Sequence, residues 1–221
     1  MNQPVKNLIL IKSPQGDVTQ WFAENPALYA RFGMKYHNGV DIVRPHGEPM
    51  YAIEDATVVA VKTDPRGFGK HVRIISDKAH DGFHFEWTYG HCSKIHVAVN
   101  DKVRGGQHIA DMGNTGFVVS GSTRFWDVNP YKGTHLHFGL RRVVLGVKGG
   151  WRYSGSTLPY MSVDKYENGV RGAIDPLPYL KRSKTVMIPD DRKGKEALLR
   201  LALISLVKKL QALITARGKM K

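Results

Sequence analysis

Short runs of apolar or alternating residues, separated by glycine-containing turns, fill the chain from about residue 7 to residue 182. Runs of this length and spacing are typical of β-strands. The apolar run that follows Asn7 predicts a first strand. Further strands are predicted at residues 58–63, 71–76, 83–91, 108–113 and 134–141. The pattern therefore predicts a mainly β protein, with an antiparallel, sandwich-like domain and few short helices.

One short helix is predicted inside this domain. The Asn25-Pro26 pair is a helix start signal, because proline suits the first helical turn. Gly33 is a stop signal, because glycine readily adopts the left-handed backbone found at helix ends. The helix is therefore expected to follow residue 25 and to end at Gly33.

The composition changes after residue 182, which predicts a domain at residues 1–182 and a basic tail at residues 183–221. The tail has ten basic and three acidic residues, so its charge of +7 is half of the net +14 of the chain. Five leucines spaced by four, three, four and three positions predict a C-terminal amphipathic α-helix. They are Leu199, Leu203, Leu206, Leu210 and Leu213.

Two roles for the tail helix are open. Its longest uncharged run, residues 201–207, is far shorter than the roughly 20 apolar residues that span a bilayer. It either packs on the domain or dimerises, or it lies at a membrane interface, since the same basic, amphipathic pattern serves both. In the second case Arg200, Lys208 and Lys209 are expected to contact an anionic membrane or lipopolysaccharide.

Composition narrows the class of protein. Lys and Arg outnumber Asp and Glu by 33 to 19, which favours a polyanionic partner such as nucleic acid, anionic lipid or a bacterial wall polymer. Cys92 is the only cysteine, so an intramolecular disulfide framework is excluded. The N-terminus has one lysine before its apolar run and no small-residue cleavage site, so we interpret it as a strand and not as a signal peptide.

The candidate chemistry begins in the strand predicted at residues 134–141. Side chains alternate between the two faces of a strand, so His135 and His137 share one face while Leu136 and Phe138 share the other. A single histidine on such a face is more often structural than functional. Two on one face favour a functional site, although the H-x-H pattern alone is common.

A second group lies in YHNGVDIV, where an Asn-Gly turn separates His37 from Asp41. A carboxylate between Val40 and Ile42 is costly to bury unless a cation pairs with it. A metal ion is one such partner and Arg44 is another. Taken alone, the pattern favours an Asx-type turn followed by an aspartate at the start of a strand.

His91, at the end of the strand predicted at residues 83–91, completes the set. The five candidates are His37, Asp41, His91, His135 and His137. They offer nitrogen and oxygen ligands with almost no thiol, which suits zinc with mixed coordination and argues against a cysteine-rich structural site. A catalytic zinc keeps three protein ligands and one water, so two imidazoles would be left to handle protons or an oxyanion.

In order, the segments HNGVD, GFGKHVRI, TYGHCSKIHVAVNDKVRGGQHIADMGNTG, HLHFGL and IDPLPYL resemble the lysostaphin/LytM-type zinc metallopeptidases. The resemblance covers about residues 18–180 and implies an enzyme that cleaves peptide cross-links of bacterial peptidoglycan. It implies that one zinc is bound by His37, Asp41 and His137. It also implies that His91 and His135 are catalytic, without deciding which imidazole does what.

The chain departs from this family in two places. Eighteen residues, 117–134, separate GNTG from HLHF, where the family has a shorter turn. This insertion is expected either to wall the substrate groove or to be a surface loop that tucks its aromatic residues away. Its candidate groove residues are Arg124, Phe125, Trp126, Tyr131 and Lys132. Cys92 stands where the family usually has an aliphatic residue and is expected to pack as a small hydrophobe.

The remaining histidines, at positions 46, 71, 80, 84, 96 and 108, have no partner at ligand spacing and are expected to be structural or solvated. A non-enzymatic wall-binding or regulatory domain on the same fold is the alternative function. Nucleic-acid binding is not expected, because only charge supports it. The setting expected is a phage endolysin or virion lysin that reaches the wall through a holin or on the virion, or a bacterial enzyme with an unrecognised export route.

Overall fold

The computed structural model describes residues 1–10, 12, 16–120, 123–129 and 131–180. The predicted tail helix, with Arg200, Lys208 and Lys209, lies outside these residues. The strands that the structure describes are β1 (Val18–Gln20), β2 (Val40–Ile42), β3 (Pro49–Tyr51), β4 (Ala56–Asp64), β5 (Gly69–Ser76), β6 (His84–Gly90), β7 (Cys92–Ile95), β8 (Lys102–Val103), β9 (His108–Met112), β10 (Val119–Ser120), β11 (Thr123–Arg124), β12 (Leu136–Leu145), β13 (Met161–Val163) and β14 (Ala173–Ile174). The α-helices described are α1 (Pro26–Tyr29), α2 (Phe125–Val128) and α3 (Leu177–Leu180).

The main sheet has nine strands in the order β1-β2-β12-β6-β5-β4-β8, with β13 and β14 also paired to β12. A three-stranded sheet, β3-β9-β7, packs against it, and β10 and β11 form a hairpin. All strand pairs within these sheets are antiparallel. The mainly β, antiparallel fold with few short helices is thereby confirmed.

The hydrophobic core lies between the two larger sheets. Leu136, Phe138 and Leu140 of β12 point into it, and so do Trp87 and Tyr89 of β6. The rings of Trp87 and Phe138 stack with their centroids 5.2 Å apart. Because a slip of one residue would turn all these side chains to the opposite face, burial of the aromatic residues fixes the register of β12. The same register directs the intervening residues, His137, Gly139 and Arg141, to the other face of the sheet.

Two sequence predictions differ from the structure at the N-terminus and at His91. The apolar run after Asn7 is not a strand in the described residues, and the first strand is β1. Leu8 is buried, and the backbone N–H of Ile9 donates to the Asp17 carboxylate at 2.6 Å instead of to a neighbouring strand. The strand predicted at residues 83–91 ends at Gly90, and β7 begins after His91.

The short helix was predicted correctly. It consists of α1 and a following turn of 3₁₀-helix, Ala30–Phe32, and it ends at Gly33 in the left-handed region with φ of +66°. No helix among the described residues combines the length and the apolar character needed to cross a bilayer.

Candidate metal centre

Two adjacent strands bring His37, Asp41 and His137 together. Asp41 lies in β2 between Val40 and Ile42, which are both buried in the core, so its side chain points to the opposite face. His137 of β12 pairs directly with Asp41 across the ladder. His37 reaches the same point from the turn that precedes β2. The side chains of His37, His137 and Asp41 are only 1%, 6% and 12% exposed.

The three candidate ligand atoms form a nearly equilateral triangle. Nε2 of His37 lies 3.1 Å from Nδ1 of His137 and 3.2 Å from Oδ1 of Asp41, and the third side measures 3.1 Å. Hydrogen bonds do not account for all three contacts, because each ring nitrogen donates at most one proton. Ligands of a tetrahedral zinc are expected roughly 3.3 Å apart, given bonds of about 2.0–2.1 Å. The triangle therefore fits a metal ion.

Hydrogen bonds and nearby charges keep His37 and Asp41 in the protonation states that bind a cation. Nδ1 of His37 donates to the backbone oxygen of Trp21 at 2.9 Å, which leaves the Nε2 lone pair for a metal. Burial alone would raise the pKa of Asp41, but the charges of His135 and His37 and the hydrogen bond from His137 hold it well below the usual value. Asp41 is therefore a carboxylate, as a metal ligand must be.

His137 is oriented by packing. Its Nε2 is buried and has no hydrogen-bond partner within the described part of the chain. The Phe68 ring stacks on the imidazole with the centroids 4.9 Å apart. A Cβ atom added to Gly39 would lie 2.7 Å from His137 Nε2 and 2.8 Å from the Phe138 oxygen. Glycine at position 39 therefore leaves the space that the imidazole occupies.

Gly39→Ala is expected to weaken metal binding roughly 10- to 100-fold, the range found when groups that orient a ligand are changed. The added methyl group must displace either the His137 ring or the backbone of β12. Metal titration of the purified variant measures the effect. Gly139→Ala is the matched control, because its Cβ would meet Thr88 at an ordinary 3.4 Å. Equal affinities for the two variants would contradict this view of Gly39.

His91 and His135 lie beside the triangle, with their ring centroids 4.5 Å apart. Nδ1 of His91 donates to the Thr115 oxygen at 2.7 Å, and Nδ1 of His135 donates to the Gly133 oxygen at 2.8 Å. Both Nε2 atoms are therefore left for other partners, and His135 Nε2 lies 3.8 Å from Oδ2 of Asp41.

The backbone and surroundings of His91 are unusual. Its φ of +61° places it in the left-handed region, which is costly for a residue with a side chain and is concentrated at functional sites. This turn separates β6 from β7. Burial lowers the pKa of His91 well below its usual value, and the charges of His135 and His137 act in the same direction. His91 is therefore neutral near pH 7, and its Nε2 carries a lone pair because Nδ1 holds the ring proton.

A groove runs from these residues along the exposed face of β12. Its walls include Phe32 and Phe117, whose rings meet edge to face at 5.2 Å. Of the 117–134 insertion, the described residues that line the groove are Phe117, Val118 and Val119.

The insertion residues named from the sequence lie elsewhere. Phe125 is buried beneath Lys132, and Tyr131 packs against His46 at a separate depression. Trp126 and Arg124 are not among the groove residues either, and Arg124 pairs with Asp127. Phe125, Trp126 and Tyr131 are therefore not among the described residues that line this groove, an arrangement that favours the other expectation, a surface loop.

A second histidine cluster was missed from the sequence. His96 and His108, expected to have no partners, both contact Asp111. Each imidazole faces its own carboxylate oxygen, at 2.8 Å for His96 and 2.6 Å for His108, so two ordinary hydrogen bonds account for this cluster. The His108-x-x-Asp111 spacing was the only visible signal, because His96 joins through the turn that follows β7.

One protein family and several individual proteins match this chain. The model of peptidase family M23 matches residues 35–150, just over half of the chain, and includes all five candidate residues. The chain is 35% identical over 102 residues to the glycyl-glycine endopeptidase ALE-1 of Staphylococcus capitis, a match that covers 46% of this chain and 24% of that protein. It is 36% identical over 104 residues to the peptidoglycan DD-endopeptidase ShyA of Vibrio cholerae, covering 47% and 20%.

Among solved structures, the antimicrobial peptidase lysostaphin from Staphylococcus simulans has a similar fold. The TM-score is 0.50 at 24% sequence identity, and the match covers 79% of this chain and 52% of that chain. The matches to the two curated relatives span about a quarter of their length or less.

Proposed function

Because the chain belongs to peptidase family M23, the metallopeptidase family that its motifs resemble, we propose that it is a zinc-dependent endopeptidase. Its substrate in this proposal is the peptide cross-link of bacterial peptidoglycan. The observation that carries the proposal is the triangle of His37, Asp41 and His137 with two uncommitted imidazoles beside it. A structural metal site would have no need of a neutral, strained histidine such as His91 at its open side.

We assign one zinc ion per chain to His37, Asp41 and His137, since two imidazoles and one carboxylate form a typical donor set for zinc. When bound, zinc polarises the scissile carbonyl and makes water a better nucleophile near neutral pH. His91, neutral and with Nε2 free, accepts a proton from the attacking water and returns it to the amine that leaves when the scissile C–N bond breaks. With Nδ1 already donating to the Gly133 oxygen, His135 can donate from Nε2 to the oxyanion that develops on the carbonyl when both of its ring nitrogens are protonated.

The names of the two relatives support the substrate class. ALE-1 is a glycyl-glycine endopeptidase and ShyA is a peptidoglycan DD-endopeptidase. Both names refer to peptide bonds, although the bonds differ. We therefore propose a wall peptide as the substrate.

Digestion of purified peptidoglycan by the zinc-loaded protein tests the proposal. Mass spectrometry of the released fragments is expected to show new amino and carboxyl termini within the cross-links. A chelator is expected to stop the reaction and zinc to restore it. Full activity in excess chelator would contradict the zinc mechanism. Binding to the wall without cleavage would favour the non-enzymatic domain.

We further propose that the basic tail helps the enzyme to reach the wall through an anionic envelope layer, and that the setting is that of a phage lysin. The support is the sequence of residues 183–221, with its charge of +7 and its stripe of leucines. Truncation after Arg182 is expected to reduce lysis of intact cells while leaving digestion of purified peptidoglycan unchanged. Equal lysis of intact cells by both forms would reject the role of the tail.

A further inference from the structure

A charged cluster lies on the groove floor, away from the metal centre. Along β12, His137, Gly139 and Arg141 point into the groove in turn, and they pair with Gly90, Thr88 and Glu86 of β6. Arg73 of β5 joins this face beside Thr88. A small second core of Val59, Ile75, Val143 and Met161 closes the sheet face beyond Arg141. The cluster therefore marks the far end of the groove.

Glu86 is the centre of this cluster, and its acceptor positions are taken. It is fully buried. Oε1 accepts from Nη1 of Arg73 at 2.8 Å and from Nε of Arg141 at 2.8 Å, with a further short contact from Nη2 of Arg141. Oε2 accepts from the Tyr153 hydroxyl at 2.8 Å. Burial alone would raise the pKa of Glu86, but the two guanidinium groups lower it, so the group is anionic.

The cluster has one more positive charge than negative. Arginine stays protonated in proteins, so Arg73 and Arg141 supply two cations against the single anion Glu86. Both side chains line the groove and are 15% exposed. Nη2 of Arg73 and Nη1 of Arg141 make no hydrogen bond to any described residue. Two guanidinium groups therefore offer free donors to an anion in the groove.

The charges along the rest of the groove also favour an anionic ligand. The ammonium group of Lys62 lies 5.6 Å from the Tyr153 ring centroid, next to the cluster. Away from the metal centre and the cluster, the aspartate, lysine and arginine residues that line the groove are Lys62, Asp64, Arg66 and Arg171. Cations outnumber anions, and a carboxylate that bridges two arginines would be held by charge-assisted hydrogen bonds.

We propose that this cluster binds a carboxylate of the substrate, so that the enzyme acts on an acidic stem-peptide cross-link and not on an all-glycine bridge. This inference rests on the proposed function. Arg141 is four residues from His137, or about 14 Å along the strand. An extended peptide covers that distance in about four residues. The recognised carboxylate therefore lies three to four residues from the scissile bond, and the cluster determines specificity without touching the reacting atoms.

Paired substrates test the inference. Cross-linked peptides are prepared with a free or an amidated carboxylate three to four residues from the scissile bond, on each side in turn, together with a pentaglycine peptide. For the wild-type protein, amidation on one side is expected to raise KM roughly 10- to 100-fold, the effect of losing a charge-assisted hydrogen bond, with little change in kcat.

Variants then assign the effect to the cluster. Arg73→Gln is expected to abolish the preference for the free carboxylate, and Arg73→Lys to retain part of it. Glu86→Gln removes the competing anion and is expected to lower KM for the acidic peptide. Arg142→Gln is the matched control, because Arg142 lies on the opposite face of β12 and contacts Tyr179. Thermal unfolding and metal content verify that each variant is folded and loaded.

The outcomes separate this inference from the function on which it rests. Equal KM values for the acidic and amidated peptides, or faster cleavage of pentaglycine, would overturn the inference and leave the peptidase proposal standing. Cleavage of none of the peptides, and of no purified peptidoglycan, would overturn both. A preference for the free carboxylate that Arg73→Gln leaves intact would move the recognition to another part of the groove.

Discussion

His137→Ala is expected to remove the metal from the purified protein and to reduce kcat/KM by roughly 10³-fold or more, since a catalytic metal supplies several kcal/mol of transition-state stabilisation. The substitution deletes one corner of the triangle that His37 and Asp41 complete at 3.1 to 3.2 Å. Metal analysis gives the stoichiometry, and peptidoglycan digestion gives the rate. Both are expected to fall together.

His96→Ala is the matched control for this substitution. It removes an imidazole from the other cluster, where two hydrogen bonds to Asp111 already account for the geometry. One metal per chain and normal activity are expected. A His137→Ala protein that keeps both its metal and its activity would contradict the assignment of the centre, and loss of metal in His96→Ala would place a metal at the surface cluster.

Strand periodicity could predict that His135 and His137 share one face, whereas the choice of His37, Asp41 and His137 as metal ligands came from the resemblance to the metallopeptidase family. His135 and His137 alternate with Leu136 and Phe138, and the structure places the apolar pair in or next to the core and the imidazoles on the groove face. The Asn-Gly turn before Asp41 was a weaker signal, because taken alone it favoured an Asx-type turn followed by a strand-entry aspartate and not a metal ligand. His91 was a weaker case, because the left-handed turn that directs it interrupts what looks like one continuous strand.

The charged cluster could not be predicted, because it depends on strand register. Arg73, Glu86 and Arg141 lie on three strands and are separated by 13 and 55 residues. Nothing in the local sequence states that β5, β6 and β12 are neighbours. The prediction of a strand after Asn7 was wrong for a related reason. The apolar segment near Leu8 covers the core, but it does not pair with a neighbouring strand. Periodicity identifies the face of a residue, and only pairing identifies its partners.

The two imidazoles beside the triangle are expected to separate metal binding from catalysis. His91→Asn and His135→Asn are each expected to keep one metal per chain, because neither ring belongs to the triangle. Asparagine is chosen because it tolerates the left-handed backbone at position 91. We expect kcat to fall by roughly 10²- to 10⁴-fold for His91→Asn, as for loss of a general base, and by about 10²- to 10³-fold for His135→Asn, as for loss of an oxyanion donor.

The double variant shows whether the two histidines act together. When two groups stabilise one transition state as a unit, removing both reduces kcat by less than the product of the two separate reductions. The combined loss in kcat is therefore expected to be smaller than that product, with metal content unchanged. His84→Asn, outside the groove and bonded to the Ser76 backbone, is the control for the substitution itself. Loss of metal in either single variant would make that histidine a ligand, and an unchanged kcat would remove it from the mechanism.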